Sequence, residues 1–326
     1  MRRRGLWTFL IYATNALLAF YLFVLLSRIY RQNHANAIDG TAANSKANNQ
    51  TLPVAVDGFP TILRAESLPP PRTESPEILA EFAKSVQWVK DNIIPPPTFG
   101  GLNLVNPERI DYSQHGQTRQ LITKHLYPPK MNGRFLEVGA YNGEDLSNTL
   151  GLERHLKWSG ILVEPNPASF KQLKTKNRNV YALNACLSNV TAPVKRHIYG
   201  RSGTDPGTSL NANKKSFNIY GIEEQIERER FDTTCVPMRS VLDAVGWHAL
   251  DLVTIDVEGY EHDVLQSFDW PNTHVTLVMV ECNKCIELVA ETNVDQTNRL
   301  IETMRKFNYY HVDTFGTLDF LFRKSR

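Results

Sequence analysis

The stretch that decides the fold of this 326-residue chain is Phe135-Leu136-Glu137-Val138-Gly139-Ala140-Tyr141-Asn142-Gly143. Its first four residues are mostly apolar, which predicts a buried strand. Gly139 and Gly143 follow, and glycine lets a backbone turn sharply and approach a ligand closely. Glu164 closes the next apolar run, where an acid suits the hydroxyls of a nucleoside ribose. Because open α/β sheets bind ligands at the carboxyl ends of their strands, we expect a ligand site at this edge.

Short apolar runs alternate with helical stretches from Arg134 onward, which is typical of a mostly parallel α/β sheet. The predicted strands are Phe135–Val138, Gly160–Glu164, Val180–Cys186, Leu252–Val257 and Val275–Glu281, followed by a hairpin of Tyr309–Phe315 and Leu318–Arg323. Five crossover strands and a terminal antiparallel hairpin resemble the Rossmann-like fold of class I S-adenosylmethionine-dependent methyltransferases. We expect this domain to cover residues 134–326. The dinucleotide fingerprint G-x-G-x-x-G is absent, which argues against a dehydrogenase.

The composition excludes several classes of protein. The chain has 36 Lys and Arg against 34 Asp and Glu, a net charge of +2. A nucleic-acid binder would carry a strong basic excess, so no nucleic-acid partner is expected. Four cysteines are too few for a disulfide-built scaffold. Cys282-Asn283-Lys284-Cys285 has no second pair to complete a zinc site.

The amino terminus predicts a membrane anchor. Residues 6–26 contain no charged side chain and as a helix would rise about 31 Å, enough to cross a bilayer. The run is longer than the apolar part of a signal peptide, although a cleaved signal is the alternative. Arg2, Arg3 and Arg4 favour a cytosolic tail at residues 1–5, with the rest of the chain in the lumen. This is the topology of a single-pass type II membrane protein.

Two further regions separate this anchor from the sheet. Residues 27–75 are polar, lack a helical or strand period and predict a flexible lumenal stem. A helical lead-in is expected at residues 76–133, beginning with Ser75 as a helix cap and Pro76 in the first turn. Asn49 and Asn189 each begin a glycosylation sequon, which agrees with a lumenal location.

Several motifs together resemble the FkbM-type methyltransferase family. They are Ser113-Gln114-x-Gly116-Gln117, Phe135 to Glu144, Leu146-Ser147-Asn148-Thr149, Leu152 to Gly160, Glu164-Pro165-Asn166-Pro167, Asn177-Arg178, Asn184 to Ser188, and Ile255-Asp256-Val257-Glu258-Gly259-Tyr260-Glu261. The resemblance covers Ser113 to Arg326 and is closest to a membrane-anchored branch represented by the insect protein Star.

This resemblance implies two functions of different class. The first is an S-adenosylmethionine-dependent O-methyltransferase that acts on a hydroxyl acceptor in the endoplasmic reticulum or Golgi. The second is a catalytically silent, Star-like protein that assists vesicle-mediated transport of membrane or growth-factor cargo from the endoplasmic reticulum to the Golgi. The implied partners are the membrane and either a hydroxyl-bearing acceptor or a secretory cargo protein. Endosomes and the plasma membrane are further locations that this branch allows.

Site residues follow from the family resemblance for the enzyme alternative. The expected cofactor-binding residues are Glu137 near the sulfonium, Gly139, Tyr141 and Gly143 along the methionine and ribose, Glu164 on the ribose, and Ala185 or Cys186 beside the adenine. Asp256 is the leading candidate for the general base, with Glu258 and His262 behind it.

Each of these assignments has a structural alternative. Gly139 and Gly143 could form a packing turn with Glu164 in solvent, and Asp256 could cap the following helix. Asp256, Glu258 and Glu281 together could hold a divalent cation, but carboxylates line many crevices, and no metal site is predicted.

Three predictions concern the region after the third strand. Cys186 and Cys235 could form a disulfide, but a buried free thiol is the default for an apolar strand, so no disulfide is predicted. Thr204 to Leu210 is either a lid over the crevice or a surface loop. Glu223 to Arg230 predicts the solvated face of a helix.

Overall fold

The computed structural model describes residues 74–201, 228–282, 292–316 and 318–325. None of the helices in these ranges has the length and apolar character needed to cross a membrane. The predicted tail, anchor and most of the stem, residues 1–73, lie outside the described residues, as do Thr204 to Leu210 and Asn283 to Cys285.

Seven helices, one π-helical turn and ten strands make up the described chain. The helices are α1 (Pro76–Asn92), α2 (Gln117–Gln120) with a π-helical turn (Leu121–His125), α3 (Leu150–Leu156), α4 (Pro167–Thr175), α5 (Met238–Val245), α6 (Glu261–Gln266) and α7 (Thr292–Lys306). The strands are β1 (Arg134–Val138), β2 (Ser159–Val163), β3 (Tyr181–Leu183), β4 (Cys186–Leu187), β5 (Val194–Arg201), β6 (Arg228–Val236), β7 (Ala249–Ile255), β8 (His274–Glu281), β9 (Tyr309–Phe315) and β10 (Asp319–Lys324).

The main sheet has seven strands in the order β3-β2-β1-β7-β8-β10-β9. Strands β1, β2, β3, β7 and β8 pair in parallel, whereas β10 is antiparallel to both β8 and β9. This is the predicted plan of five crossover strands and a terminal hairpin, so the class I methyltransferase-like fold is confirmed. The chain changes direction across the sheet between β1 and β7, and a ligand crevice is expected at such a switch point.

Burial explains why the strand sequences could be recognised. Leu136 of β1 pairs with Ile161 of β2 and Val253 of β7, and all three side chains are fully buried. Central parallel strands are covered on both faces, so their sequences are continuous apolar runs rather than alternating ones. The core therefore lies on both sides of β1, directly behind the expected crevice.

The third predicted strand is wrong at its carboxyl end. Only Tyr181–Leu183 joins the main sheet, whereas Cys186 belongs to β4 of a second sheet with the order β4-β6-β5. The Asn184 side chain donates to the main-chain oxygens of Glu164, at 2.7 Å, and Pro165, at 3.3 Å. These bonds hold the chain to the end of β2 where it leaves the main sheet.

The second sheet is closed by a disulfide that the sequence analysis did not predict. Cys186 of β4 and Cys235 of β6 are bonded and are also register partners in the parallel pair. Neighbouring parallel strands bring two cysteine side chains on the same face within reach, a proximity that sequence separation does not reveal. Cys282 is disulfide-bonded as well.

Replacing both Cys186 and Cys235 with alanine is expected to lower the free energy of unfolding by about 4 kcal/mol, because the bond closes a long loop. The two cysteines are separated by 49 residues. Urea unfolding followed by circular dichroism measures the change. An unchanged midpoint would contradict the idea that this bond anchors the second sheet.

Two other predictions need correction. Residues 228–230 begin strand β6, not a helix, because they pair with β5 in an antiparallel ribbon, and the rest of the charged run lies outside the described residues. The lead-in is helical only at α1, α2 and the π-helical turn, while residues 93–116 run without a helix.

The predicted start of α1 is confirmed, since Ser75 Oγ accepts from Ile78 N at 3.4 Å.

Candidate functional site

A cavity of about 130 Å³ lies at the carboxyl ends of β1, β2 and β7. Eight residues predicted for the site line it: Glu137, Gly139, Tyr141, Glu164, Ala185, Cys186, Asp256 and Glu258. Leu187 and Ile198 add an apolar wall beside Ala185. The topology therefore brings most of the predicted residues together in one cavity.

Two predicted residues lie elsewhere. Gly143 is absent from the cavity lining, and an added Cβ there would lie 3.0 Å from Leu173 Cγ, so this glycine lets the loop pack on α4. His262 lines a second cavity of about 220 Å³ together with Arg299. Burial and the positive charge of Arg299 lower the pKa of His262. Glu281 lines both cavities.

Gly139 is required by the approach of two strand ends. Its φ is +87°, and an added Cβ would lie 1.8 Å from the main-chain oxygen of Asp256. On either side the backbone is fixed by Gly139 N donating to Val163 O at 2.9 Å and Asp256 N donating to Val138 O at 3.0 Å. Any side chain at this position would push β7 away from β1, so only glycine closes the floor of the cavity.

The Glu137 carboxylate holds the loop that follows β1. It accepts from Asn148 N at 2.8 Å and from the hydroxyls of Ser147 and Thr149. Glu137 is 3% exposed. A carboxylate with this many donors is held firmly in one position. Steering of a sulfonium stays a prediction for Glu137, and the contacts establish a loop-holding role.

Arg178 lies behind this loop and contacts both of its ends. Its guanidinium donates to Glu153 Oε2 at 2.7 Å, Gly143 O at 3.1 Å and Ser147 Oγ at 3.1 Å. One of its nitrogens also lies 3.6 Å from Glu137 Oε2. The planar fork of arginine suits such multiple contacts, and here it balances two buried carboxylates. The sequence contained Arg178 within a family motif but offered no sign of this role.

Glu164 lies at the cavity wall and is 5% exposed, so the alternative of a solvent-exposed acid is wrong. Its Oε2 accepts from Tyr141 N at 2.8 Å and its Oε1 from Asn166 N at 2.7 Å. Burial raises the pKa of Glu164 to about 8, although these two backbone bonds act in the opposite direction. Each carboxylate oxygen has two lone pairs, so capacity remains for ligand hydroxyls.

We expect Glu164 to make the protein less stable as the pH rises. The folded protein holds a proton on a group with a pKa of about 8, whereas the unfolded chain loses that proton near the ordinary value of 4.5. Stability falls with pH wherever the folded state binds more protons, here from about pH 4.5 to pH 8. Glu164→Gln should therefore reduce the fall in Tm between about pH 5.5 and pH 8.5. Differential scanning fluorimetry measures this.

Glu302→Gln is the control for this measurement, because Glu302 is exposed and lies on α7 away from the cavity lining. Its Tm should follow the wild-type dependence on pH. An equal pH dependence in Glu164→Gln and wild type would contradict a buried, protonated Glu164.

Asp256 and Glu281 form a carboxyl pair at the ends of β7 and β8. Ile255 pairs with Val280, so the next residues of the two strands are neighbours, and their side chains share a hydrogen bond. Burial, and then the charge of Glu281, raise the pKa of Asp256 well above its ordinary value. Burial also raises the pKa of Glu281, to about 7. Two carboxyl groups this close disfavour each other's charged form.

Asp256 does not cap the following helix, so that alternative is wrong. The cap residue of α6 is Tyr260, and no side chain makes a capping bond there. Asp319 of β10 lies near the same pair, and its carboxylate accepts from Gln117 Nε2 at 2.8 Å. The lead-in thus contacts the acidic end of the cavity through Gln117.

Two cavity residues were not predicted from the sequence to belong to the site. Asn148 Oδ1 and Thr254 Oγ1 are buried, line the cavity and have no hydrogen-bond partner among the described residues. Asn148 is 7% exposed and Thr254 is 2% exposed. Strand alternation was the available signal for Thr254, since it lies two residues before Asp256 and thus on the same face of β7. Buried polar atoms without partners indicate a ligand or an ordered water.

A family model for the methyltransferase FkbM domain matches residues 137–310, which is more than half of the 326 residues. The chain belongs to the FkbM methyltransferase family. The matched range begins at Glu137 and includes the cavity residues of β1, β2, β7 and β8. This member of the FkbM methyltransferase family matches no curated protein.

Solved structures give only distant similarities to this chain. The FkbM methyltransferase of Methylobacillus flagellatus is 11% identical with a TM-score of 0.36, and the match covers 63% of this chain and 47% of that one. A methyltransferase of Pyrococcus furiosus is 12% identical with a TM-score of 0.34, covering 77% and 99%.

Fibrillarin of Aeropyrum pernix, solved with natively bound S-adenosyl-L-methionine, is 11% identical with a TM-score of 0.33, covering 59% of this chain and 66% of that one. With TM-scores below 0.5, these similarities add nothing to the fold assignment, which follows from the strand order. The chain spans about half the length of the M. flagellatus protein.

Proposed function

We propose that this protein is a membrane-anchored, S-adenosylmethionine-dependent O-methyltransferase that acts on a hydroxyl acceptor in the secretory pathway. One observation carries the donor assignment. The Glu164 carboxylate stands at the wall of the cavity and is held next to the glycine turn by its bond from Tyr141 N. An acid in this position suits the two hydroxyls of a ribose.

The other cavity residues fit the same donor. Gly139 lets the end of β1 lie close to the end of β7 at the cavity, since a Cβ would collide with Asp256 O. Asn148 Oδ1 offers an unpartnered acceptor for an ammonium group such as that of the methionine part. Ala185, Leu187 and Ile198 form an apolar border suited to an adenine ring. When bound, the donor supplies an electrophilic methyl group.

Asp256 is our proposed proton acceptor for the acceptor hydroxyl. It lines the cavity at the end of β7, beside Glu281 and opposite the Glu164 wall. Methyl transfer to a hydroxyl forms an O–C bond and releases the hydroxyl proton, which the Asp256 carboxylate takes up. Holding the acceptor oxygen in line accounts for most of the acceleration, and a general base adds about 10²–10⁴-fold.

The disulfide between Cys186 and Cys235 supports a secretory location. Disulfides persist in the endoplasmic reticulum and beyond but are rare in the cytosol. Asn189, which begins a sequon, is exposed between β4 and β5, where a glycan has access. The predicted anchor at residues 6–26 agrees with this location, and the Star-like branch stays a prediction.

Transfer of a labelled methyl group tests the activity. We would incubate the full-length protein with a donor tritiated in its methyl group and with glycan, lipid and protein fractions of secretory membranes. One fraction should acquire base-stable label, and Asp256→Asn should reduce the rate by about 10²–10⁴-fold. Unchanged transfer in Asp256→Asn would remove its role as the base. Absence of label in every fraction would favour the catalytically silent, Star-like alternative.

The orientation of the protein in the membrane has a separate test. Protease treatment of intact microsomes should leave the carboxyl terminus protected, with digestion only after the membrane is permeabilised. Digestion in intact microsomes would contradict a lumenal domain.

A further inference from the structure

Three carboxylates from two strand ends meet at one point of the cavity. Asp256, Glu258 and Glu281 each offer one oxygen, and these three oxygens lie within 4.8 Å of one another. Two oxygens bound to one Ca²⁺ at about 2.3–2.6 Å lie at most about 4.6–5.2 Å apart, and two bound to one Mg²⁺ at about 2.0–2.1 Å at most about 4.2 Å. The spacing therefore allows all three to bind the same cation.

The fold, rather than local sequence, creates this cluster. Asp256 and Glu281 follow the register pair Ile255 and Val280, so parallel pairing of β7 and β8 places them side by side. Glu258 follows in the turn before α6 with a φ of +55°. Asp319 and Glu261 add negative charge nearby. Of these five acidic residues Glu281 and Asp319 are buried, and bringing carboxylates together in such a place is unfavourable unless a cation or protons balance their charge.

A second observation points to a ligand at the same place. The Thr254 hydroxyl is 2% exposed, lines this cavity and has no hydrogen-bond partner among the described residues. It lies on the same face of β7 as Asp256 and in register with Met279, two residues before Glu281. An unsatisfied buried hydroxyl costs about 1–3 kcal/mol. A water bound to a cation between the carboxylates would give this hydroxyl its partner.

We infer that Asp256, Glu258 and Glu281 bind a hard divalent cation, Ca²⁺, Mg²⁺ or Mn²⁺, with the Thr254 hydroxyl bonded to one of its waters. Carboxylate oxygens and water are the ligands that these cations take, and open positions remain for a substrate oxygen. The site is formed by residues of the chain alone, so cation binding does not depend on the proposed function.

The chemical use of the cation does rest on the proposed function. The acceptor hydroxyl oxygen would occupy an open position, where the positive charge favours its deprotonated form. The proton passes to the Asp256 oxygen that does not touch the cation. The acceptor oxygen then bonds to the methyl carbon while the carbon–sulfur bond breaks, which leaves a neutral thioether. Atoms and charge balance without an oxidant or reductant.

The inference is tested by measuring Mn²⁺ binding to the full-length protein. Isothermal titration calorimetry gives the affinity, and electron paramagnetic resonance follows the loss of the free Mn²⁺ signal. Wild type should bind one ion saturably. We expect Glu281→Gln to weaken binding by at least about tenfold, since a ligand is lost, and Thr254→Val to weaken it by about tenfold through the bound water. Mg²⁺ should compete for the site.

Glu302→Gln is the matched control, since it removes one exposed carboxylate of α7. Its Mn²⁺ affinity should stay within about twofold of wild type, as expected for a group outside the coordination shell. No saturable binding by wild type at millimolar Mn²⁺ would overturn the inference, as would an unchanged affinity in both Glu281→Gln and Thr254→Val. Donor titration of the same samples keeps the two proposals apart, because donor binding without Mn²⁺ binding rejects only the cation.

Discussion

Replacing Gly139 with alanine is expected to abolish donor binding and to lower the free energy of unfolding by at least about 3 kcal/mol, as strained core substitutions do. The added Cβ would lie 1.8 Å from Asp256 O, and the residue has a φ of +87°. Relief requires β1 and β7 to separate, which breaks the bond from Asp256 N to Val138 O. Urea unfolding measures the stability, and calorimetric titration with S-adenosylmethionine measures the donor site.

Gly246→Ala separates the collision from the cost of a positive φ. Gly246 ends α5 with a φ of +74°, and nothing lies within 4 Å of an added Cβ. The free energy of unfolding of Gly246→Ala should fall only by the cost of a positive φ, about 1–2 kcal/mol. This variant should bind the donor as wild type does. If Gly139→Ala were no less stable than Gly246→Ala, the close approach of the two strand ends would not constrain this position.

Replacing Arg178 with methionine is expected to lower the free energy of unfolding by about 3–5 kcal/mol, because it leaves buried carboxylates without their cation. The carboxylates are Glu137 and Glu153, both at most 9% exposed. Loss of the bonds to Gly143 O and Ser147 Oγ should also loosen the loop. Chemical unfolding measures the stability, and donor affinity measured well below the Tm reports the loop.

Lys84→Met is the control for this loss of charge. Lys84 pairs with Glu81 on the surface of α1, and the two side chains are 61% and 45% exposed. An exposed pair of this kind contributes about 0–1 kcal/mol. Similar effects of the two substitutions would show that the Arg178 network contributes no more than a surface pair.

Much of the sheet could be predicted because its central strands are buried on both faces. Residues 135–138, 160–163 and 252–255 are mostly apolar runs, interrupted by Glu137 and Thr254, and each lies in the strand predicted for it. The departure of Cys186 into a second sheet could not be predicted, since it depends on the Asn184 side-chain bonds to main-chain oxygens. Strand β6 was not predicted for a different reason. Its first residues are charged, and two strands that pair as a ribbon do not need an apolar run.

The site was predictable where the chain itself places residues at strand ends. Glu164 and Asp256 directly follow β2 and β7, so parallel pairing alone directs them to one edge. Gly143 and His262 were assigned from the family resemblance, but Gly143 packs on α4 and His262 lines the second cavity. The role of Arg178 depends on contacts between distant elements, which spacing along one chain does not encode, whereas strand alternation was an available signal for Thr254.

Calorimetric titration of the full-length protein with S-adenosylmethionine tests the donor site most directly. We predict one saturable site per chain, weakened at least about tenfold by Glu164→Ala, which removes a hydrogen-bond acceptor, and unaffected by Glu302→Gln. Absence of heat at millimolar donor, from protein that unfolds cooperatively, would contradict the account.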